Sequence, residues 1–230
     1  MSTILVTGAN RGIGLEFVQQ YLEIGAQVIA TYREVENSDA LIRLSEERPT
    51  LDTFNLDVAS DESRKAFAAQ LGPRPIDIFI NNAGIYGPRD SNFGNVDEAN
   101  WIPTLRINAL APLLLTQLII ENLRRGDSKK LLYVTSKMGS IDDNKGGGSY
   151  VYRSSKAALN AVVKSISVDL ASDGMRVGLL HPGWVRTDMG GPNALIDAKS
   201  SVSGMIQVID GLDDQSSGRF FNYNGDQIPW

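Results

Sequence analysis

Three glycines set between an apolar run and an amphipathic run constrain this chain more than any other feature. Ile4-Leu5-Val6-Thr7 is a short, largely apolar stretch of the kind that suits a strand buried on both faces, and it ends at Gly8. Gly12 and Gly14 follow at Gly-x-x-x-Gly-x-Gly spacing. Ile13, Phe17, Val18, Tyr21 and Leu22 then recur at helical intervals as far as Gly25, which stands where a C-terminal cap belongs. A strand that passes into a helix through glycines has little side-chain bulk at the turn. Its backbone can turn sharply and lie close to a phosphate resting on the helix N-terminus. The same spacing would also serve a tight turn with no ligand.

The alternation continues along the chain. Val28–Thr31, Leu51–Leu56, Ile76–Ile80, Leu131–Val134 and Arg176–Leu180 read as further strands, with a short last one near Arg219–Phe221. Helical stretches fall between them at about 38–48 (stopped by Pro49), 60–71, 101–124, 150–172 and 195–212. Residues 81–100 read as loop, and Gly146-Gly147-Gly148 as a flexible loop. Repeated strand–helix units predict an α/β protein: a Rossmann-type doubly wound parallel sheet of about seven strands, with helices on both faces. No repeat, linker or composition shift divides residues 1–230, so a single domain is expected, with a short substrate loop around 188–200.

Composition narrows the chemistry. The chain has no cysteine and one histidine, His181. That removes thiolate nucleophiles, disulfides, iron–sulfur clusters and cysteine or His-rich metal sites, so no metal centre is expected. A formal charge of −5 argues against a nucleic-acid partner. The most apolar stretch, Ala109–Ile120, is short and holds Pro112, Thr116 and Gln117. A membrane span needs about 20 apolar residues, so no membrane partner is expected. No basic leader precedes the first strand, which points to a cytoplasmic protein.

Tyr152 and Lys156 stand four apart within the stretch 150–172, so a helix there places them on one face. An ammonium beside a phenol favours the phenolate and lowers a tyrosine pKa from its ordinary value of about 10. The same spacing also occurs as a plain surface pair.

Taken in order, Thr7-Gly8-Ala9-Asn10-Arg11-Gly12-Ile13-Gly14, Asp57-Val58, Asn81-Asn82-Ala83-Gly84, Asn108, Ser136, Tyr152-x-x-x-Lys156 and Pro182-Gly183-Trp184-Val185-Arg186-Thr187 resemble the short-chain dehydrogenase/reductase family over essentially the whole chain. The ending Phe221–Trp230 is similar to the C-factor and sniffer branch of that family, which includes carbonyl reductases.

The resemblance implies a role for each matching position. Tyr152 would donate a proton to a carbonyl oxygen or take one from an alcohol. Lys156 would lower its pKa and hold the nicotinamide ribose. Ser136 would hydrogen-bond the substrate oxygen, and Asn108 would hold a water behind Lys156. Gly8, Asn10, Arg11, Gly12, Ile13 and Gly14 would form the cofactor loop. Asp57 would meet the adenine edge with Val58 against the ring, Asn82 would lie on the adenosine side, and Val185 and Thr187 would approach the carboxamide. Asn81 and Gly84 would stabilise sheet and turn, and His181 would be a strand-end residue.

NAD-binding relatives place an acid at the end of the second strand. Here Tyr32 stands at that place and Arg33 follows it, with Glu34 beside them. Arg11 supplies a second cation. Guanidinium groups bind phosphate through paired donors, so NADP(H) is expected in preference to NAD(H), with a small-molecule carbonyl compound as substrate.

Ser136 and Tyr152 lie 16 positions apart, slightly wider than in most relatives, and the three glycines at 146–148 can absorb the difference. Gly190, Gly191 and Pro192 suggest a mobile flap after Thr187. Trp184, Met138, Tyr86 and residues near Asn193 are candidate pocket walls. Helices near 101–124 and 150–172 form dimer interfaces in many relatives, which makes a homodimer or homotetramer an expectation. The rival expectation is a cofactor-binding signalling or sensor protein of the C-factor type. The full set of Asn108, Ser136, Tyr152 and Lys156 favours the enzyme.

Overall fold

The computed structural model describes residues 1–230. Its strands are β1 (Thr3–Val6), β2 (Gln27–Tyr32), β3 (Leu51–Asn55), β4 (Ile78–Asn81), β5 (Lys130–Val134), β6 (Arg176–His181) and β7 (Arg219–Asn222). They form one sheet in the order β3-β2-β1-β4-β5-β6-β7, with every pair parallel. The strand order reverses beside β1, where β4 pairs on the side away from β2. Such switch points open a crevice at the carboxyl ends of the strands.

Alternation along the strands builds two cores. Ile4, Val6, Val28, Ala30, Leu132 and Val134 face one side; Leu5, Ile29, Leu131, Tyr133 and Leu179 face the other. Helices α1 (Gly12–Glu23), α2 (Asp39–Glu47) and α7 (Ala198–Asp210) cover the first side with Phe17, Val18, Leu41, Val202, Met205 and Ile209. Helices α3 (Asp61–Leu71), α5 (Ala111–Arg125) and α6 (Tyr150–Asp169) cover the second with Phe67, Leu71, Leu115, Ile119, Leu159 and Val163. Each fully buried Leu or Phe of this kind contributes about 1.5–3 kcal/mol.

Several boundaries differ from the sequence expectation, two of them through a capping carboxylate. The helix expected at 101–124 begins as α4 (Glu98–Leu105), because the Asp97 carboxylate caps it by accepting from Asn100 N at 2.8 Å. The helix expected at 195–212 begins at Ala198 after Asp197, which accepts from Ser200 N at 2.7 Å. Leu195 and Ile196 instead hydrogen-bond back to Trp184. The helix expected to reach residue 172 ends at Asp169, and β4 starts at Ile78 rather than Ile76.

Between α4 and α5 the helix passes through a π-turn, Arg106–Leu110. Pro112 has no N–H, so it cannot donate to the Asn108 carbonyl as a regular helix requires. Glu98–Arg125 thus forms one 28-residue helical run, longer than the apolar stretch suggested, and by length and composition it would suffice to cross a membrane. Its Leu115, Ile119 and Leu123 are fully buried in the core on the second side of the sheet.

Candidate active site

The glycine turn lies at the carboxyl end of β1, against the end of β4. Gly8 has φ +62, and a side chain there would strike the Ala83 backbone at 2.9 Å. The Thr7 hydroxyl accepts from the amides of Asn82 and Ala83, both at 3.1 Å. The Asn82 amide returns two bonds, to the carbonyls of Thr7 at 3.0 Å and Gly8 at 2.9 Å. A Cβ on Gly14 would run into Gly8 O and the Asn82 amide. The backbone therefore comes close only because these positions lack side chains. Ile13 belongs to the first turn of α1, which has no side-chain cap and no acid of its own. Asn10 donates to Asn37 O at 2.9 Å, tying this loop to the segment after β2.

Ser136 follows β5 and caps a short 3-10 turn, Lys137–Gly139, by accepting from Met138 N at 3.2 Å. That turn packs directly on α6: a Cβ on Gly139 would meet the Lys156 backbone at 2.8 Å. Tyr152 and Lys156 share one buried face of α6, with Nζ 5.9 Å from the phenol ring centroid. Lys156 donates to Val134 O at 3.1 Å. Ser136, Tyr152 and Lys156 are thus brought together under cover at the end of β5.

The charge balance differs from the sequence expectation. Burial pushes the Tyr152 phenol up to about 12, with Ser136 pulling the other way and Tyr86 adding to the rise. Burial also lowers Lys156 to about 8. Burial, rather than the neighbouring lysine, sets the net direction for the phenol. Removing water penalises phenolate and ammonium alike.

Asn108 sits in the π-turn with its side chain hydrogen-bonded through both oxygen and nitrogen. Its Oδ1 accepts from Ile85 N at 2.9 Å, and its Nδ2 donates to Ile85 O at 2.7 Å and to Ser155 Oγ at 2.9 Å. Asn108 Oδ1 and Lys156 Nζ both face Gly84. The atom that Pro112 leaves without its helical donor is the main-chain carbonyl. Pro112, four residues after Asn108, was the readable signal for this distortion.

Neither arginine of the glycine-loop side stands alone. Arg33 pairs with Glu34 at 2.7 Å, and Arg11 with Asp188 at 2.7 Å. Asp57 follows β3 and accepts from Ala59 N at 2.9 Å, while Val58 O accepts from Arg64 at 2.6 Å. Val185 is buried and bridges to Ile196. The Thr187 methyl lies 3.3 Å from where a Gly12 side chain would begin, so this segment meets the glycine turn. His181 ends β6, half-buried, with Nδ1 unpartnered. Sequence reasoning missed Thr7 and Ser155 as supports, because their partners are remote in the chain. Gly147, Gly148 and Ser149, in the loop expected at 146–148, are three successive left-handed residues leading into α6.

Comparison with known proteins agrees with this arrangement. The family model described as short chain dehydrogenase matches residues 2–195. C-signal of Myxococcus xanthus is 50% identical over 166 residues, which cover 72% of this chain and 99% of that protein. Two solved structures superpose with a TM-score of 0.94. The carbonyl reductase Sniffer of D. melanogaster is 31% identical and covers 100% of both chains. The NADPH-bound carbonyl reductase from chicken fatty liver is 34% identical and covers 100% of this chain and 99% of that one. With its parallel sheet, its glycine turn and this breadth of match, the chain belongs to the short-chain dehydrogenase family of oxidoreductases.

Proposed function

We propose that this protein is an NADPH-dependent carbonyl reductase, which reduces a ketone or aldehyde to an alcohol with Tyr152 as proton donor. The observation that carries the proposal is the convergence of Ser136, Tyr152 and Lys156, buried together at the end of β5. The structural likeness to an NADPH-bound carbonyl reductase supports it.

The chain's residues fit the cofactor. The close backbone at Gly8, Gly12 and Gly14 and the uncapped start of α1 would receive a pyrophosphate. Asn10 and Ile13 complete that loop. Arg11 and Arg33 would hold the 2′-phosphate, exchanging Asp188 and Glu34 for it. Asp57, Val58 and Asn82 would border the adenosine, and Val185 and Thr187 the carboxamide. When bound, NADPH supplies the hydride.

Proton transfer falls to the protein. A phenol held well above neutral pH keeps its proton, so Tyr152 is ready to donate to a developing alkoxide while Ser136 hydrogen-bonds the same oxygen. Lys156 would hold the nicotinamide ribose and lie behind Tyr152 in the relay. Asn108 would hold the relay water through its main-chain carbonyl, since its amide is committed to Ile85 and Ser155.

Incubating the purified protein with NADPH and a panel of dicarbonyls, quinones and aldehydes tests this reading. Wild type should consume NADPH with some of them. Tyr152→Phe should abolish turnover while NADPH still binds, and a Tyr152→Phe variant with near-normal activity would refute the mechanism.

The 50% identity to C-signal favours one other reading, a cofactor-binding signalling protein with little catalysis. NADPH binding without consumption across the whole panel would support it.

A further inference from the structure

Tyr152 is the third residue of α6, in the first helical turn, where helices are least constrained by their own hydrogen bonds. A ring that must present its hydroxyl with sub-ångström accuracy needs support from outside the helix. Tyr86 provides it. Its ring stacks on that of Tyr152 with centroids 4.3 Å apart and planes 22° apart.

Tyr86 is itself held from several directions. Just before it, Ile85 is pinned through both backbone groups by the Asn108 amide. Just after it, Gly87 adopts φ +74, with Thr104 Oγ1 2.7 Å from where a side chain would start, so the loop lies hard against α4. The Tyr86 hydroxyl meets Ser149 Oγ at 3.3 Å. Ser149 has φ +48, an uncommon conformation for a residue with a side chain, and it gives α6 no side-chain cap. Its hydroxyl is turned to Tyr86 instead. Finally, the Arg89 guanidinium lies 5.6 Å from the Tyr86 ring centroid and donates to Met189 O at 3.1 Å. Lys156, Tyr152, Tyr86 and Arg89 thus form a layered series that runs from α6 to the segment after Thr187.

We infer that Tyr86 is a positioning residue for Tyr152, fixing the phenol ring by stacking, and that Arg89 ties this support to the segment at Asp188–Met189. The inference rests on the reading of Tyr152 as proton donor. Tyr86 as a mere wall for the substrate would act on KM; Tyr86 as a positioner acts on kcat and on the ionisation of Tyr152.

The test compares Tyr86→Ala and Tyr86→Phe in the full chain, using NADPH and a carbonyl compound that wild type reduces. Tyr86→Ala should lower kcat about tenfold, the upper end of what an aromatic pair is worth. KM and NADPH affinity, read by nucleotide fluorescence, should move less. Tyr86→Phe keeps the ring and should restore most of the loss. Tyrosine-ring carbon NMR, with the Tyr152 signal assigned by its absence in Tyr152→Phe, gives a readout independent of turnover. In wild type that signal should stay put through about pH 10, the ordinary tyrosine value. In Tyr86→Ala, with water admitted to the ring, it should begin to titrate there. A raised KM with unchanged kcat and an unmoved Tyr152 signal would overturn the inference. If wild type reduces nothing, the proposed function fails, and the NMR comparison still decides the role of Tyr86. Should Tyr86→Ala fail to fold by circular dichroism, Tyr86→Leu replaces it with the same expectations.

Discussion

Arg11 in the glycine turn and Asp188 in the segment after β6 stand 2.7 Å apart, so an ion pair joins the two sides of the proposed cofactor cleft. Both side chains are largely exposed, which limits such a pair to about 0.2–1 kcal/mol. Asp188 nonetheless competes with any phosphate for the same guanidinium. Asp188→Asn should tighten NADPH binding by up to about fivefold and NADH binding by less. Fluorescence titration of both nucleotides checks this. Weaker NADPH binding would mean that the pair closes the cleft more than it competes.

Arg33 and Glu34 pose the same competition on the other side. A charge-assisted hydrogen bond is worth about 1.5–3 kcal/mol, so Arg33→Ala should weaken NADPH about ten- to a hundredfold and leave NADH nearly unchanged. Glu34→Gln should shift preference the opposite way. Unchanged NADPH affinity in Arg33→Ala would sink the proposed phosphate contact.

The buried lysine predicts a pH dependence without cofactor. Lys156 is lowered to about 8 in the fold, against about 10.4 in an unfolded chain. Between those values the native state holds fewer protons, so stability should rise with pH across that window. Lys156→Met should flatten the rise in denaturant midpoints. Tyr152, pushed up to about 12, acts in the opposite sense above about pH 10, where the unfolded chain loses its proton first.

His181 adds a dependence on the acid side. Burial, with Lys137 adding to it and Asp143 opposing, lowers this imidazole to about 4. The unfolded value is about 6.5, so stability should fall as pH drops from there through 4, with a slope approaching one proton. His181→Gln should lose that slope. The chain has one histidine, so a single ring resonance reports its native titration directly.

Much of the architecture was legible in the chain. Apolar runs such as Ile4–Val6 and Leu131–Val134 and helical recurrences such as Phe17, Val18, Tyr21 and Leu22 are local patterns, and the sheet and both cores follow from them. The Asp97 and Asp197 caps are local too, since each carboxylate accepts from an amide three residues on. Pro112 likewise foretold the π-turn around Asn108. The pairings Arg11–Asp188 and Tyr86–Tyr152 left no local trace, because their members lie 177 and 66 positions apart.

A parallel α/β sheet, a turn that only small residues allow at Gly8 and Gly14, and a tyrosine and a lysine on one helix face were all set by the order of residues along the chain. These follow from local sterics and periodicity, which neighbouring residues carry with them. The electrostatics of the site came from packing instead. Burial raised Tyr152 and lowered Lys156, and the distant Asp188 took up Arg11. Desolvation and pairing depend on what surrounds a group in space, and that surrounding exists only once remote segments have packed together.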